Sequence, residues 1–226
     1  MHQEERLRHD RSRQRSPGRT LCAALQIAGH ILAPWRRRWR LRWGARPGEP
    51  DSAWPGEDLI PDPDWGFTHA VTIAAPADAV WPWLAQIGQG RGGFYSYELL
   101  ENLVGCRITN ADTVLPEHQV LRIGDPIRLH PDSPAMHVAH VTPGRSLVLR
   151  GSPGADVAAA TDNVWAFHLV AEGPDRCRLI ERGMTTHGRS LTDRLFFSTL
   201  LMEPVGFVMS REMLRGIRER TERAGA

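Results

Sequence analysis

Two glutamates, Glu101 and Glu181, are candidates for the polar groups of a binding or catalytic site. Around Glu181 the sequence alternates as a strand does, which places Glu181 on one face with Leu179 and puts Arg178 and Arg182 on the other. If Glu181 points inward it needs a polar partner, because burying an unpaired carboxylate is costly. The alternative is an ordinary solvated strand face. The sequence leaves both open.

Aromatic and methionine side chains would supply the apolar part of such a site. The aromatic candidates are Trp83, Tyr95, Tyr97, Trp165 and Phe167. These residues either line a cavity for an apolar ligand, with polar tips that orient it, or simply pack in the core. Met209 and Met213 are also candidates, because methionine suits an apolar site that accepts varied shapes. No convincing acid–base pair accompanies these residues, so binding is favoured over catalysis.

A glycine motif, Gly88-x-Gly90-x-x-Gly93, matches the dinucleotide-binding fingerprint by letter. The true motif follows a strand and opens the helix that holds the pyrophosphate, whereas this one follows a predicted helix. We therefore interpret these glycines as a tight turn between two helices and expect no nucleotide cofactor.

Histidines and cysteines give no metal or redox motif. His137 and His140 would point to opposite faces of a strand, so with His130 and Asp132 they are better explained as surface residues than as a zinc site. The three cysteines are scattered, Cys22, Cys106 and Cys177. Their number and spacing predict no disulfide framework and favour a reducing, cytoplasmic compartment.

The elements that would position these residues are organised around residues 75–105. An apolar, β-branched run at 70–73 leads to Pro76, a residue suited to the start of a helix. Apolar residues then recur at helical spacing, at Val80, Trp83, Leu84 and Ile87. A second short helix is expected over 98–104, with three leucines facing inward, Leu99, Leu100 and Leu103.

The rest of the chain predicts an antiparallel sheet followed by a long helix. Strands are expected at 120–130, 136–141, 145–150, 163–170 and 177–184. An apolar segment at 190–202 is expected to end at Pro204, before a helix over Phe207–Glu222. This order of elements belongs to the α+β class.

Residues 75–105, APADAVWPWLAQIGQGRGGFYSYELLENLVG, closely resemble the START-like superfamily, also called SRPBCC or polyketide cyclase/dehydrase and lipid-transport proteins, in an actinobacterial-type branch. The resemblance covers about residues 40–222 and is specific for the fold, but this fold hosts many activities. It implies a helix-grip fold, in which a curved antiparallel sheet surrounds a long C-terminal helix and two short helices follow the first strand. It also implies a cavity between sheet and helix, and we expect Trp165 and Met209 or Met213 on its wall.

Charge is distributed unevenly along the chain. Residues 1–47 contain twelve arginines against three acidic residues, although the net charge of the whole chain is only +2. We expect a disordered basic arm over 1–20, an apolar and Trp/Arg-rich segment over 21–43, a Pro/Gly-rich strap over 44–66 and the START-like domain over 67–222.

The segment over 21–43 has the composition of a helix lying in a membrane interface. Trp35, Trp39 and Trp43 would share one helical face, with arginines around them. The apolar run at 21–33 is too short to span a bilayer. Either this segment lies on the inner face of the cytoplasmic membrane, or its tryptophans pack on the domain and its arginines are solvated. Nucleic acid is not an expected partner, because no nucleic-acid-binding fold follows.

Three functional hypotheses follow. The first is the binding, with or without carriage, of a small hydrophobic molecule such as a lipid, polyketide or aromatic compound. The second is an aromatase/cyclase-like enzyme on the same scaffold, in which polar side chains move protons. The third is a membrane-surface adaptor anchored by its N-terminal segment. Turnover separates the first two, and deletion of residues 1–47 tests the third.

Overall fold

A computed structural model describes residues 17–151, 162–186 and 202–225 of the chain. The helices are α1 (Pro17–Ile31), α2 (Arg37–Leu41), α3 (Ala77–Ala85), α4 (Glu98–Leu103) and α5 (Met202–Ala224). The strands are β1 (Trp65–Ile73), β2 (Pro126–Ile127), β3 (Met136–Thr142), β4 (Ser146–Gly151), β5 (Asp162–Ala171) and β6 (Cys177–Thr186). Most of the arm expected over 1–20 and of the apolar segment expected over 190–202 lies outside the described residues.

The six strands form one curved antiparallel sheet in the order β1-β6-β5-β4-β3-β2. The long helix α5 packs on the concave side against β1, and α3 and α4 are the two short helices that follow the first strand. The α+β prediction is confirmed in its helix-grip form, with a curved sheet around a long last helix. None of the described helices is both long and apolar enough to cross a membrane.

The main core lies between this sheet and the helices α3 and α5. The predicted helical face of α3 is confirmed, since Val80, Trp83, Leu84 and the following Ile87 are all buried. They pack with the inward side chains of the sheet and with Leu214 and Ile217 of α5. Burial of this apolar surface is the main force that holds helix and sheet together.

The glycines after α3 form a tight turn, as predicted. Gly88, Gly90 and Gly93 all have positive φ angles, of 125°, 73° and 78°. The backbone groups of Gly88 and Gly93 exchange two hydrogen bonds of 3.0 and 3.1 Å, which close the turn. Only glycine adopts such φ values without strain, so the motif is explained by chain geometry.

The strand predicted over 120–130 is wrong for most of its length, because only Pro126–Ile127 pairs with β3. A turn at residues 122–125 replaces it, closed by the Arg122 N–H, which donates to Asp125 Oδ2 at 2.7 Å. Pro126 itself has no N–H to give to a ladder. Of the alternating apolar residues that suggested a strand, Ile123 is exposed, whereas Leu121, Ile127 and Leu129 pack on the core without forming one continuous strand.

The orientation predicted for α4 is wrong for two of its three leucines, since only Leu100 packs inward, against the cluster that contains Tyr97 and Phe207. Leu99 and Leu103 point outward, with Leu103 80% exposed, whereas Glu98 and Glu101 are buried at 5% and 6%. Glu98 and Glu101 lie one helical turn apart and therefore share the inner face. In so short a helix the surrounding tertiary structure, and not the apolar pattern, determines which face is inside.

The last helix begins earlier than predicted. It starts at Met202 and includes Pro204, the residue expected to end the preceding segment. A proline is tolerated in the first turn of a helix, where backbone N–H groups have no intrahelical partner. The earlier start brings Glu203 and Gly206 into the helix.

The N-terminal segment packs on the last helix through α1. Ala23 and His30 are buried on its inner face, in contact with the region around Phe207. Residues 21–43 do not form one continuous helix, because a 3₁₀ turn at Pro34–Arg36 separates α1 from α2. Trp43 follows the end of α2 and packs against Phe207 and His69. Trp39 also contacts Phe207 but is 50% exposed, and Trp35 is 77% exposed.

The Pro/Gly-rich strap crosses the outer face of the sheet. Glu49 accepts hydrogen bonds of 2.7 and 2.9 Å from Arg178 Nε and Nη2, and Arg182 forms an ion pair of 2.6 Å with Glu57. The two arginines thus lie on the face of β6 opposite to Glu181, as strand alternation predicts. Their ion pairs hold the strap in place and leave the concave face to other residues.

Candidate functional site

A cavity of about 340 Å³ lies between the sheet and α5. This volume is within the range of small-molecule sites. Its apolar wall comes from Phe67, Phe94, Leu129, Met136, Val164, Trp165, Met209 and Met213. Its polar or small wall residues are Ser96, Glu101, Asn163, Glu181, Gly183, Thr185, Gly206 and Ser210. The cavity therefore lies between the two elements expected to enclose it, with Trp165 and both methionines on its wall.

The sheet side of the cavity is built by one face of β6. Glu181, Gly183 and Thr185 alternate along this strand and all line the wall. Gly183 lies directly opposite Phe67 of β1 in the ladder. A side chain at position 183 would meet the phenyl ring, so glycine allows Phe67 to lie flat on the sheet. Phe67, Gly183 and Trp165 together line this part of the cavity wall.

The helix side is built by Gly206, Met209, Ser210 and Met213 of α5. Their spacing of three and four residues puts them on one helical face. The Ser96 hydroxyl donates a hydrogen bond of 3.1 Å to the Met209 carbonyl and fixes the loop before α4 against this helix. Gly206 borders open space, since a methyl group at this position would have no atom within 4 Å.

Glu181 is fully buried and is held by two donors. The indole N–H of Trp165 and the Ser210 hydroxyl each donate to Glu181 Oε1 at 2.8 Å. One donor comes from the sheet and the other from α5, so the carboxylate links the two walls of the cavity. The inward interpretation of Glu181 is the one that the structure supports.

The second oxygen of Glu181 faces His69, its direct neighbour in the ladder between β1 and β6. His69 Nδ1 lies 3.4 Å from Glu181 Oε2, and neither atom has a hydrogen-bond partner among the described residues. His69 Nε2 is 3.0 Å from the Arg40 carbonyl oxygen. A carbonyl oxygen only accepts, so Nε2 donates the hydrogen of this contact. Glu181 Oε2 has no hydrogen-bond partner among the described residues.

Glu101 is the second buried carboxyl group of the wall. Its Oε2 atom is enclosed and has no hydrogen-bond partner among the described residues. Burial raises the pKa of Glu101 to about 8, and the nearby charge of Glu98 adds to this effect. A carboxyl group with this pKa is largely protonated at neutral pH. The cavity thus contains two glutamates in different environments.

Four of the nine predicted site residues lie away from the cavity. Trp83, Tyr95 and Phe167 pack in the main core, where the Tyr95 hydroxyl donates to the Trp83 carbonyl at 2.9 Å. Burial raises the pKa of Tyr95, so it stays a neutral donor. Tyr97 packs with Ala23 and Phe207 beneath α1. The other five lie on the wall: Glu101, Trp165, Glu181, Met209 and Met213.

Several wall residues were missed, although the sequence carried a signal for some of them. Gly183 and Thr185 follow from Glu181 by strand alternation, and Gly206 and Ser210 follow from Met209 and Met213 by helical spacing. Phe67, Phe94 and Leu129 carry no such signal, because their positions depend on how distant parts of the chain meet.

No group of three or more possible metal ligands occurs among the residues that the structure describes. His130 Nε2 contacts the Val104 carbonyl oxygen at 3.1 Å, and His140 Nε2 contacts the Thr142 hydroxyl at 3.1 Å. These histidines have local partners of their own, in keeping with the surface role predicted for them.

No protein-family model and no curated protein matches this sequence. Among solved structures, the chain is similar to a hypothetical protein of Helicobacter pylori, at 12% identity and a TM-score of 0.46, over 74% of this chain and 94% of that one. It is similar to the Zhui aromatase/cyclase of Streptomyces sp. R1128, at 15% identity and a TM-score of 0.40, over 72% and 96%. It is also similar to norcoclaurine synthase of Thalictrum flavum, at 14% and 0.38, over 72% and 96%. The fold assignment rests on the strand order and the last helix described above.

Proposed function

We propose that this protein binds a small hydrophobic molecule in the cavity between the sheet and α5. The observation that supports this proposal is a pocket of about 340 Å³ with a mostly apolar wall. Small-molecule sites are typically concave and lined mainly by apolar side chains, as this pocket is. A few polar groups on an apolar wall are what a site needs to orient such a ligand.

The test compares two substitutions at Gly206, where a side chain has room. Gly206→Phe is designed to fill the cavity, and Gly206→Ala is the matched control that leaves it open. Native mass spectrometry of the purified protein looks for a co-purified molecule, and titration with a neutral apolar dye measures binding. We expect the wild type and Gly206→Ala to bind, and Gly206→Phe to bind at least about tenfold more weakly. Equal binding by all three would contradict the proposal.

An aromatase/cyclase-like enzyme is the second candidate, and the environment of Glu101 favours it. A carboxyl group with a pKa of about 8 can act as a general acid near neutral pH. Glu181, held by Trp165 and Ser210, is the other carboxyl group on the same wall. The two would transfer protons to and from a bound ketone, as enolisation requires.

Deuterium exchange tests this chemistry without knowledge of the natural substrate. The probe is 2-tetralone in D₂O, whose α-hydrogens exchange when a group withdraws them. An enzyme should accelerate exchange over buffer, and Glu101→Gln should remove the acceleration while retaining binding of the dye. If the wild type does not accelerate deuterium exchange over buffer, the enzymatic function is rejected. The binding function is not affected by that result.

We further propose that the N-terminal segment attaches the protein to an anionic membrane surface on the cytoplasmic side. Leu21 and Leu25 share the outer face of α1, Leu32 directly follows its end, and the three are 62–76% exposed. Trp35 and Trp39 continue this apolar surface, and the arginines among them, Arg36 and Arg38, are exposed. Exposed apolar side chains beside cations suit an anionic interface, where each arginine contributes about 1 kcal/mol. Arg40 and Trp43 take no part, because they pack on the domain.

Vesicle co-sedimentation tests attachment with phosphatidylcholine alone and with added phosphatidylglycerol, at low and high salt. We expect salt-sensitive binding to the anionic vesicles only. The double substitution Leu25→Ser and Trp35→Ser should abolish it, and Val120→Ser, an exposed apolar residue of a distant loop, should not. Equal binding to both kinds of vesicle, or to neither, would reject attachment.

A further inference from the structure

Three enclosed oxygen atoms of the described cavity wall have no hydrogen-bond partner. They are Glu101 Oε2, Glu181 Oε2 and Asn163 Oδ1. Three donors of the wall are used within the protein, since Trp165 and Ser210 donate to Glu181 and Ser96 donates to Met209. Once Glu101 has lost its proton, a ligand with donors of its own can satisfy these oxygens.

The charges of the wall also favour a ligand that donates hydrogen bonds, and in particular a cation. The described wall residues include two glutamates and no arginine, lysine or histidine. An anionic head group, such as the carboxylate of a fatty acid, would find no cation there and would face Glu181. A ligand cation would instead compensate buried acidic groups, which are costly when they remain unpaired.

Aromatic rings on the cavity wall also favour a cationic ligand. Phe94 and Trp165 lie side by side on the wall, with ring centroids 6.2 Å apart, and Phe67 is also part of it. The faces of such rings attract cations by electrostatics, more strongly where water is excluded. A protonated nitrogen can thus use both the carboxyl oxygens and the ring faces.

We propose that the cavity selects a hydrophobic amine, an apolar skeleton that carries one protonated nitrogen, and that Glu101 is the group that holds this nitrogen. This inference rests on the proposed binding function and adds the chemical class of the ligand. Glu101 is assigned because only 6% of it is exposed and its enclosed Oε2 atom has no hydrogen-bond partner among the described residues. Glu181, which already accepts two hydrogen bonds, sets the negative potential of the opposite wall.

Binding of the ammonium ion changes the protonation of Glu101. Before binding, the carboxyl group holds its proton at neutral pH because of its raised pKa. The ammonium ion keeps its own protons, the Glu101 O–H bond breaks, and that proton leaves to the buffer. The acidic or basic groups around this site are Glu98 on the same helix, Cys106 just after it, Glu181 across the cavity and His69 behind Glu181.

The experiment uses matched probes that differ only in the polar group. One series is tryptamine, tryptophol and indole-3-acetate, and the other is decylamine, 1-decanol and decanoate. Calorimetry with the full-length protein measures each affinity. In at least one series we expect the amine to bind about tenfold or more tightly than the alcohol and the carboxylate. Between pH 6 and 8 the amine should bind about tenfold more tightly for each pH unit, because Glu101 must lose its proton.

Two variants separate the assigned role from a structural one. Glu101→Gln should remove the preference for the amine and its pH dependence, and should still bind the alcohol. Glu117→Gln, a substitution of an exposed glutamate that is not part of the wall, should retain both. A preference that survived Glu101→Gln would reject the assignment of Glu101.

Failure of this inference differs from failure of the binding function. If an alcohol or a carboxylate binds as well as the amine or better, the cavity is a ligand site but does not select amines. If no probe of either series binds, and Gly206→Phe behaves as the wild type with the dye, both the inference and the binding function are rejected.

Discussion

The guanidinium group of Arg40 donates to the carboxylate of Glu203 where both side chains are almost completely enclosed, 3% and 2% exposed. Arg37 donates to the second oxygen of the same carboxylate at 2.8 Å. Arg40 also donates to the His30 carbonyl at 3.3 Å. This group of contacts joins α1 and α2 to the first turn of α5, so the N-terminal segment is attached to the helix that forms one wall of the cavity.

Removing Arg40 should strongly destabilise the protein. Arg40→Gln leaves the Glu203 carboxylate buried without its main partner, and breaking a buried pair costs about 3–5 kcal/mol. Arg42→Gln is the matched control, because its pair with Asp51 is 3.5 Å long and exposed on both sides. A loss below about 1 kcal/mol is expected there. Urea unfolding at pH 7 measures the free energy of unfolding of both variants. Equal small losses of stability would show that the buried pair of Arg40 and Glu203 adds little to it.

Glu101 should make the stability fall as pH rises from about 4.5 to 8. Its pKa is about 8 in the folded protein and near the ordinary 4.5 in the unfolded chain. Between these values the folded state holds a proton that the unfolded state has lost, so rising pH favours unfolding. Glu101→Gln cannot ionise, and its stability relative to the wild type should increase across this window. Unfolding midpoints at pH 5 and pH 8 provide the measurement, and an unchanged difference would contradict the raised pKa.

His168 should have the opposite effect on the acidic side. Burial lowers the pKa of His168 to about 4, and the charges of Arg182 and His140 add to this. As pH falls from 6.5 to 4, the unfolded chain takes up a proton that the folded protein resists, so stability is lost. His168→Gln is expected to lower stability at pH 7, because the hydrogen bond with Ser146 and the stacking on Trp54 change. His168→Gln should also make the stability depend less on pH between pH 4 and 6.5. A stability profile as steep as that of the wild type would contradict this prediction.

Two glycines of α5 should respond to alanine in opposite directions. At Gly206 a methyl group meets open space, so Gly206→Ala should stabilise the helix by about 0.5–1 kcal/mol. At Gly216 a methyl group would meet the Tyr95 backbone, so Gly216→Ala should destabilise the protein. Thermal unfolding of both variants tests this contrast. Destabilisation by Gly206→Ala would mean that the wall there is closed.

The sequence predicted the elements whose patterns are local. The strands β3 to β6 and the long helix α5 have clear alternation or helical spacing, and they formed where expected within a few residues. The turn at Gly88 followed from glycine alone. The inward position of Glu181 was one of two open alternatives, because alternation gives the face of a residue and not which face is covered.

What the sequence could not predict depends on contacts between distant segments. The leucines of α4 suggested an apolar inner face, but the cavity and α1 decide its orientation, and Glu98 and Glu101 are inside. The three tryptophans of the N-terminal segment suggested one stripe, but α2 ends at Leu41, before Trp43, and Trp43 packs against Phe207. In both cases the helical spacing is present in the sequence, while the partner of each face lies elsewhere in the chain.

The ladder between β1 and β6 has a consequence for how the chain folds. Among the described residues β1 is the first strand and an edge of the sheet, and its one partner there is the last of these strands, β6, from Trp65 with Thr185 to Ile73 with Cys177. During synthesis, β1 therefore waits without a partner until almost the whole chain has left the ribosome. Closing so large a loop is entropically slow, and unpaired strand edges are prone to aggregate meanwhile. Nascent chains that stop before β6 should accordingly be the species that chaperones retain.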